Sequence, residues 1–238
     1  MARLLAGEGY VAEGYVASLL SGAAVAGMVL LAAVPARAGD VCPAGPKPTV
    51  ELVVDQGPLR YDHNLTQNGI ETLFLEEGSN THGVFGRPVG LTRTQVSIDF
   101  QTKLQPFRLD DGTYCLWLDH VLATVRYVDT TIYVDRKYGR SSCQFRAILD
   151  HEHQHVQINR ETLRRFAPRL LGALRDAVDD INPVMVAEIS QGREKPIDML
   201  QSRIDSALED FNDEREFANS GIDTPDSYRF TLNQCPRW

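Results

Sequence analysis

The chain has 238 residues, of which 43% are hydrophobic and 24% charged, with a formal net charge of −8. That is enough length and apolar content for one domain with its own core, and it excludes a disordered chain. The negative balance, with no Lys/Arg stripe to offset it, repels phosphate backbones and anionic lipid surfaces, so nucleic-acid binding is set aside.

Residues 15–34 are apolar and carry no charge, and Ala36-Arg37-Ala38 follows, the small-x-small ending of a secretory signal peptide. The reading is a leader over 1–38 and a mature chain starting at Gly39. The alternative is an uncleaved membrane anchor. Glu8 and Glu13 outweigh Arg3 ahead of the run, and the run is long enough to span a bilayer. Membrane association is expected only through that segment. All four cysteines (Cys42, Cys115, Cys143 and Cys235) lie beyond it. In an exported chain an even count predicts two disulfides and a periplasmic or secreted location. Of the three pairings, Cys115–Cys143 with Cys42–Cys235 is favoured, because the second bridge would tie the ends of the mature chain.

Residues 43–48, PAGPKP, read as a linker and 49–54 as a strand. A short helix is expected after Asn68, and a Gly/Pro-punctuated loop over 80–90. Residues 92–104 alternate polar and apolar, the strand period. Residues 114–138 are rich in β-branched and aromatic side chains and read as two strands joined by a turn near 127–130. After Gly139 the period becomes helical. Ser141 and Gln144 fit a capping box, and Phe145, Ile148, Leu149, Glu152 and Val156 follow at helix spacing. Pro168 is expected to break this helix, with a second one starting near Ala167 and ending at Pro183. Residues 194–219 form a long amphipathic helix with Leu200, Ile204, Leu208 and Phe211 on one face. A last helix opens with Thr224 as cap and Pro225 at its first position.

Three of the six histidines fall within five residues, His151-Glu152-His153-Gln154-His155. This satisfies H-E-x-x-H. On a helix His151 and His155 share a face and can grip one zinc ion, while Glu152 stands beside the metal as general base. His153 points elsewhere. On a strand all three histidines would share a face, but the capping box and the 3–4 apolar spacing favour the helix. A loosely buffering His-rich tract and a solvated polar face are the remaining readings. A catalytic zinc needs a third protein ligand. Glu161 lies six residues after His155, but Ile158 stands where a glycine would have to turn the chain. The acidic helix offers Glu209, Asp210, Asp213, Glu214 and Glu216. Glu214, at the edge of the apolar face, is chosen, with Asp210 second.

With these motifs the chain resembles a family of bacterial exported proteins described as secreted zinc-dependent proteases. The resemblance runs from the strand region through LDHEHQHVQI to FNDERE and covers most of the mature chain. Family members carry an aromatic-Asp-x-Glu-Thr segment. Here Phe211-Asn212-Asp213-Glu214-Arg215 keeps the aromatic residue and the glutamate, changes the Asp and the Thr, and lacks the His-Gly that usually follows. The resemblance implies zinc and a protein or peptide substrate. Together these readings give an α+β chain, zincin-like, with N-terminal antiparallel strands ahead of a helical half in one domain over 39–238. The expected activity is that of a zinc metallopeptidase with His151, His155 and Glu214 on the metal and Glu152 as catalytic base. A non-catalytic metal-binding or interaction protein is the alternative.

Overall fold

The computed structural model describes residues 41–76, 87–192 and 194–238. The expected leader or anchor over 1–38, and residues 80–86 of the expected loop, lie outside them. The elements in order are β1 (Thr49–Asp55), β2 (Leu59–Asp62), α1 (Gln67–Glu76), β3 (Gly90–Arg108), β4 (Tyr114–Val134), α2 (Cys143–Ile181), β5 (Val184–Val186), a 3-10 turn (Ile189–Gln191), α3 (Lys195–Ser220) and α4 (Pro225–Asn233).

The sheet is organised around β4. β3 runs antiparallel along its whole length. The opposite edge is shared by three short strands: β5 antiparallel at Tyr114–Leu116, β1 parallel at His120–Arg126 and β2 parallel at Thr130–Tyr133. The arrangement is α+β, but the expected sheet of N-terminal antiparallel strands is overturned, and the zincin-like arrangement with it. Two of the pairings are parallel, and one strand joins from beyond α2. Alternation marks a strand and its buried face, but it carries no information on the direction of the partner strand.

The turn expected near 127–130 is a β-bulge within one 21-residue strand. Gln95 faces Asp129 while Val96 faces Tyr127, so Val128 is the extra residue; a second shift leaves Asp119 extra. Each insertion moves the inward side chains by one position. The buried series therefore runs Leu116, Leu118, then Val121, Ala123, Val125, Tyr127, then Ile132, Val134. Two phase changes in the period look like a chain break, although the ladder continues. Gly57 sits opposite the Val128 bulge with φ 62°, where a Cβ would meet the Tyr127 carbonyl oxygen at 1.8 Å.

α2 and α3 pack antiparallel on one face of the sheet. Ala123, Val125 and Tyr127 meet Leu163, Phe166, Leu170 and Leu174 of α2 and Ile204, Leu208 and Phe211 of α3. The α3 face expected from the sequence is the buried one. α2 starts one residue later than the capping box suggests. Ser142 is the cap and accepts from the Phe145 N–H at 3.0 Å, while Gln144 donates to the Arg237 carbonyl. α2 also runs through Pro168 for 39 residues. Pro168 and Arg164, whose carbonyl loses its partner, are both exposed, so water can satisfy that group. Burial of Leu163, Phe166 and Leu170 on the opposite face holds the helix together. α4 begins as expected, with Thr224 accepting from the Ser227 N–H.

Two disulfides form, Cys42–Cys115 and Cys143–Cys235, in place of the expected pairing. Cys115 lies on β4 beside Leu116, which pairs with Val184 just beyond the end of α2. Cys143 begins α2, and a 39-residue helix is about 58 Å long. Cys115 and Cys143 are thus at opposite ends of the molecule, far beyond the roughly 7 Å that a bridge can span between Cα atoms. The bridges indicate an oxidising compartment. Among the described residues no helix is long and apolar enough to cross a membrane.

Candidate metal centre

α2 brings His151 and His155 to one buried face, one turn apart, with ring centroids 5.0 Å apart and edge-to-face. The third group is Asp223, in the turn that follows α3. Its Oδ1 lies 3.2 Å from Nε2 of His151 and 3.3 Å from Nε2 of His155, and it accepts a hydrogen bond from the Tyr228 hydroxyl at 3.1 Å. Among the described residues these three form the one group able to hold a metal ion, with ligand atoms all within 4.8 Å of one another.

The donor set fits zinc. Two imidazole nitrogens and one carboxylate form a three-ligand set of the kind that leaves a fourth position open. In a tetrahedral site with bonds of about 2.0–2.1 Å, neighbouring ligand atoms stand about 3.3 Å apart, close to the two nitrogen–oxygen distances here.

A chain of amides behind His155 fixes its tautomer. Asn219 Nδ2 donates to both Asn159 Oδ1 at 2.8 Å and the Arg215 carbonyl at 2.7 Å, so Asn219 Oδ1 is the acceptor for the His155 Nδ1–H at 2.8 Å. Asn159 in turn donates to Thr94 Oγ1 on β3, and its carbonyl accepts from the Tyr127 hydroxyl on β4. The sheet, α2 and α3 thus jointly aim Nε2 of His155 at Asp223. Nδ1 of His151 is buried without a partner.

Charge and burial oppose each other at the centre. Burial works against charge on Asp223, yet hydrogen bonds from His151 and His155 hold its carboxyl well below the usual range. Burial also works against charge on His155, but the hydrogen bond to Asp223 and the Glu152 carboxylate raise it to about 9. A metal ion would take the place of the Nε2 proton.

Glu152 is 5% exposed. Burial pushes its carboxyl up, against the pull of His155, His151 and the Thr92 hydroxyl. Thr92 Oγ1 lies 2.8 Å from Glu152 Oε2 and 3.0 Å from its backbone carbonyl. Glu152 fits where it does because β3 opens with Gly90. A Cβ there would meet Glu152 Oε1 at 2.4 Å and Ile148 Cγ2 at 2.6 Å.

Of the residues singled out from the sequence, His151, Glu152 and His155 come together and Glu214 does not join them. Glu214 is ion-paired with Arg165 and Arg169. Those arginines are ten and fourteen residues beyond His155, roughly 15–20 Å along α2. Since α3 runs antiparallel to α2, the α3 residue level with His155 is Asn219. Asp210 is exposed. His153 faces away from the cluster, with its Nε2 3.0 Å from the Tyr61 hydroxyl. Asp223, Asn219, Asn159 and Thr92 escaped notice in the sequence. Asp223 directly precedes the Thr224-Pro225 helix start, where an acidic residue reads as part of the cap. Compared with protein families, curated proteins and solved structures, the chain matches none.

Proposed function

We propose that the chain is an exported zinc metallohydrolase acting on peptides, with His151, His155 and Asp223 as metal ligands and Glu152 as general base. The observation that carries this reading is the convergence of two imidazole Nε2 atoms on one carboxylate oxygen at 3.2 and 3.3 Å, with Glu152 next in the chain to His151. The resemblance to exported zinc-dependent proteases supports it. Zinc in this set would supply Lewis acidity, polarising a substrate carbonyl and acidifying water. The chain's own groups do the rest. Glu152, made more basic by burial, takes a proton from the attacking water and returns it to the leaving amine. The Tyr228 hydroxyl, whose ring centroid is 5.5 Å from that of His151, donates to Asp223 Oδ1 at 3.1 Å and steadies the third ligand. Burial first, then the charge of Asp223, holds the Tyr228 phenol well above its ordinary range, so it stays a donor.

The burial of Glu152 beneath Gly90 favours a second reading, a metal site without chemistry. Glu152→Gln separates the two. Gln keeps the shape and an oxygen but cannot take the proton. Zinc content should persist while hydrolysis of a peptide library falls about 10²–10⁴-fold. Wild-type protein that binds one zinc and cleaves nothing in the library would replace the peptidase reading with the second one.

A further inference from the structure

We infer that the Cys143–Cys235 disulfide is a redox clasp on the metal centre, so that a dithiol reductant releases α4 and with it Asp223 and Tyr228. This rests on the metal-centre reading above. From Glu216 to Trp238 the one buried residue is Cys235. α4 buries no side chain, and the apolar residues on it and after it are exposed: Phe230 at 69%, Leu232 at 47% and Trp238 at 42%. Apart from the Tyr228 ring on His151, little apolar packing holds α4 down, and a helix of nine residues does not persist alone in water. What else fastens it is concentrated at and just before the first turn of α2. Besides the disulfide, Gln144 donates to the Arg237 carbonyl, Cys143 Sγ lies 3.3 Å from the Gln234 carbonyl, and Trp238 stacks edge-on against Tyr138.

The clasp and the metal centre lie at the two ends of one antiparallel contact. Cys143 precedes His151 by about two helical turns, and Tyr228 precedes Cys235 by the same interval. With both ends fixed, Tyr228 reaches Asp223 at 3.1 Å and packs against His151. On the α3 side, Asp223 is tied by its N–H to the Ser220 carbonyl at 3.2 Å. In the reduction, two electrons from the dithiol cleave the S–S bond. The dithiol becomes a disulfide, and its two protons complete the thiols of Cys143 and Cys235. α4 then frays, and the third ligand loses its support from one side. By reciprocity, bound metal protects the clasp from reduction by the same factor by which reduction weakens the metal.

The test compares full-length oxidised wild type with C143S/C235S and, as a control, C42S/C115S, whose bridge sits at the far end of the sheet. Zinc affinity is read by competition with a chromophoric chelator, and protection by amide hydrogen exchange. C143S/C235S should bind zinc about 10–100-fold more weakly and lose protection in α4, while α2 around Leu163–Leu174 stays protected and C42S/C115S keeps wild-type affinity. Equal affinity for wild type and C143S/C235S overturns the clasp and leaves the metal centre standing. Oxidised wild type that binds no zinc overturns the metal centre, and the clasp with it. If the serine pair also loosens the core, wild type is briefly reduced in the folded state and alkylated. α4 amides that remain as protected as in the oxidised chain then overturn the inference.

Discussion

Replacing Asp223 by Asn removes the charge on which both histidines converge and keeps the shape and an acceptor for Tyr228. Four-ligand structural zinc sites bind with about 10–16 kcal/mol, so one ligand is worth about 2.5–4 kcal/mol, or about 10²–10³ in affinity. That figure applies where no proton competes. In the metal-free wild type Asp223 helps raise His155 to about 9. Below that pH zinc must displace a proton, and wild-type affinity should climb about tenfold per unit as pH rises towards 9. Without Asp223 the proton is held less tightly and the climb ends at lower pH. Asp223→Asn should therefore cost about 10²–10³ above pH 9 and about tenfold less for each unit below it. Chelator competition between pH 7 and 9.5 measures this. Glu214→Ala, which breaks ion pairs with Arg165 and Arg169, should leave affinity unchanged throughout. A wild-type affinity retained by Asp223→Asn at pH 9.5, or lost in Glu214→Ala, refutes the assignment.

The metal-free protein should lose stability in alkali. His155 titrates near 6.5 when unfolded and about 9 when folded, so its contribution is complete below pH 6.5 and lost as pH rises through 9. Urea midpoints in a chelator at pH 6 and 9.5 should differ in that sense, and a flat profile contradicts it. Asn219→Leu removes the acceptor for the His155 Nδ1–H, and zinc affinity should fall about 10–100-fold while far-UV circular dichroism is unchanged. An unaltered affinity would show that the amide chain does not aim the ring. Gly90→Ala forces Glu152 and Ile148 aside; overpacking of this kind costs about 1–3 kcal/mol. Thermal unfolding should register the loss, and an unchanged midpoint means that β3 does not press on Glu152 as described.

Much of this protein was legible where the signal is local. The helical period after Gly139, the cap at Thr224, and the apolar face Leu200-Ile204-Leu208-Phe211 follow from contacts within a few residues, which sequence spacing reports directly; the cap of α2 lies at Ser142, one residue past the expected Ser141. The pairing of His151 with His155 and the place of Glu152 beside them follow from one helical turn. The presence of two disulfides follows from count and context.

What tertiary structure decided is what joins distant segments. β4 looked like two strands because the bulges at Asp119 and Val128 reset the alternation, and only the unbroken ladder with β3 shows one strand. The parallel pairing of β1 and β2 depends on partner direction, which side-chain alternation does not encode. Pro168 stops an isolated helix but not one whose other face is buried on the sheet and α3. The disulfide pairing differs from the expected one because the length of α2 separates Cys115 from Cys143, and Pro168 hides that length in the sequence. Glu214 matches a motif and stands at the edge of an apolar face, which is all that sequence spacing offers for a third ligand. The antiparallel crossing of α2 and α3 instead carries Glu214 away to Arg165 and Arg169 and brings Asn219 level with His155. The turn after Ser220 then folds Asp223 back onto both histidines. An aspartate ahead of a helix cap has no local property that distinguishes a ligand from a cap. What sets it apart is the pair of imidazoles that the fold places 3.2 and 3.3 Å away.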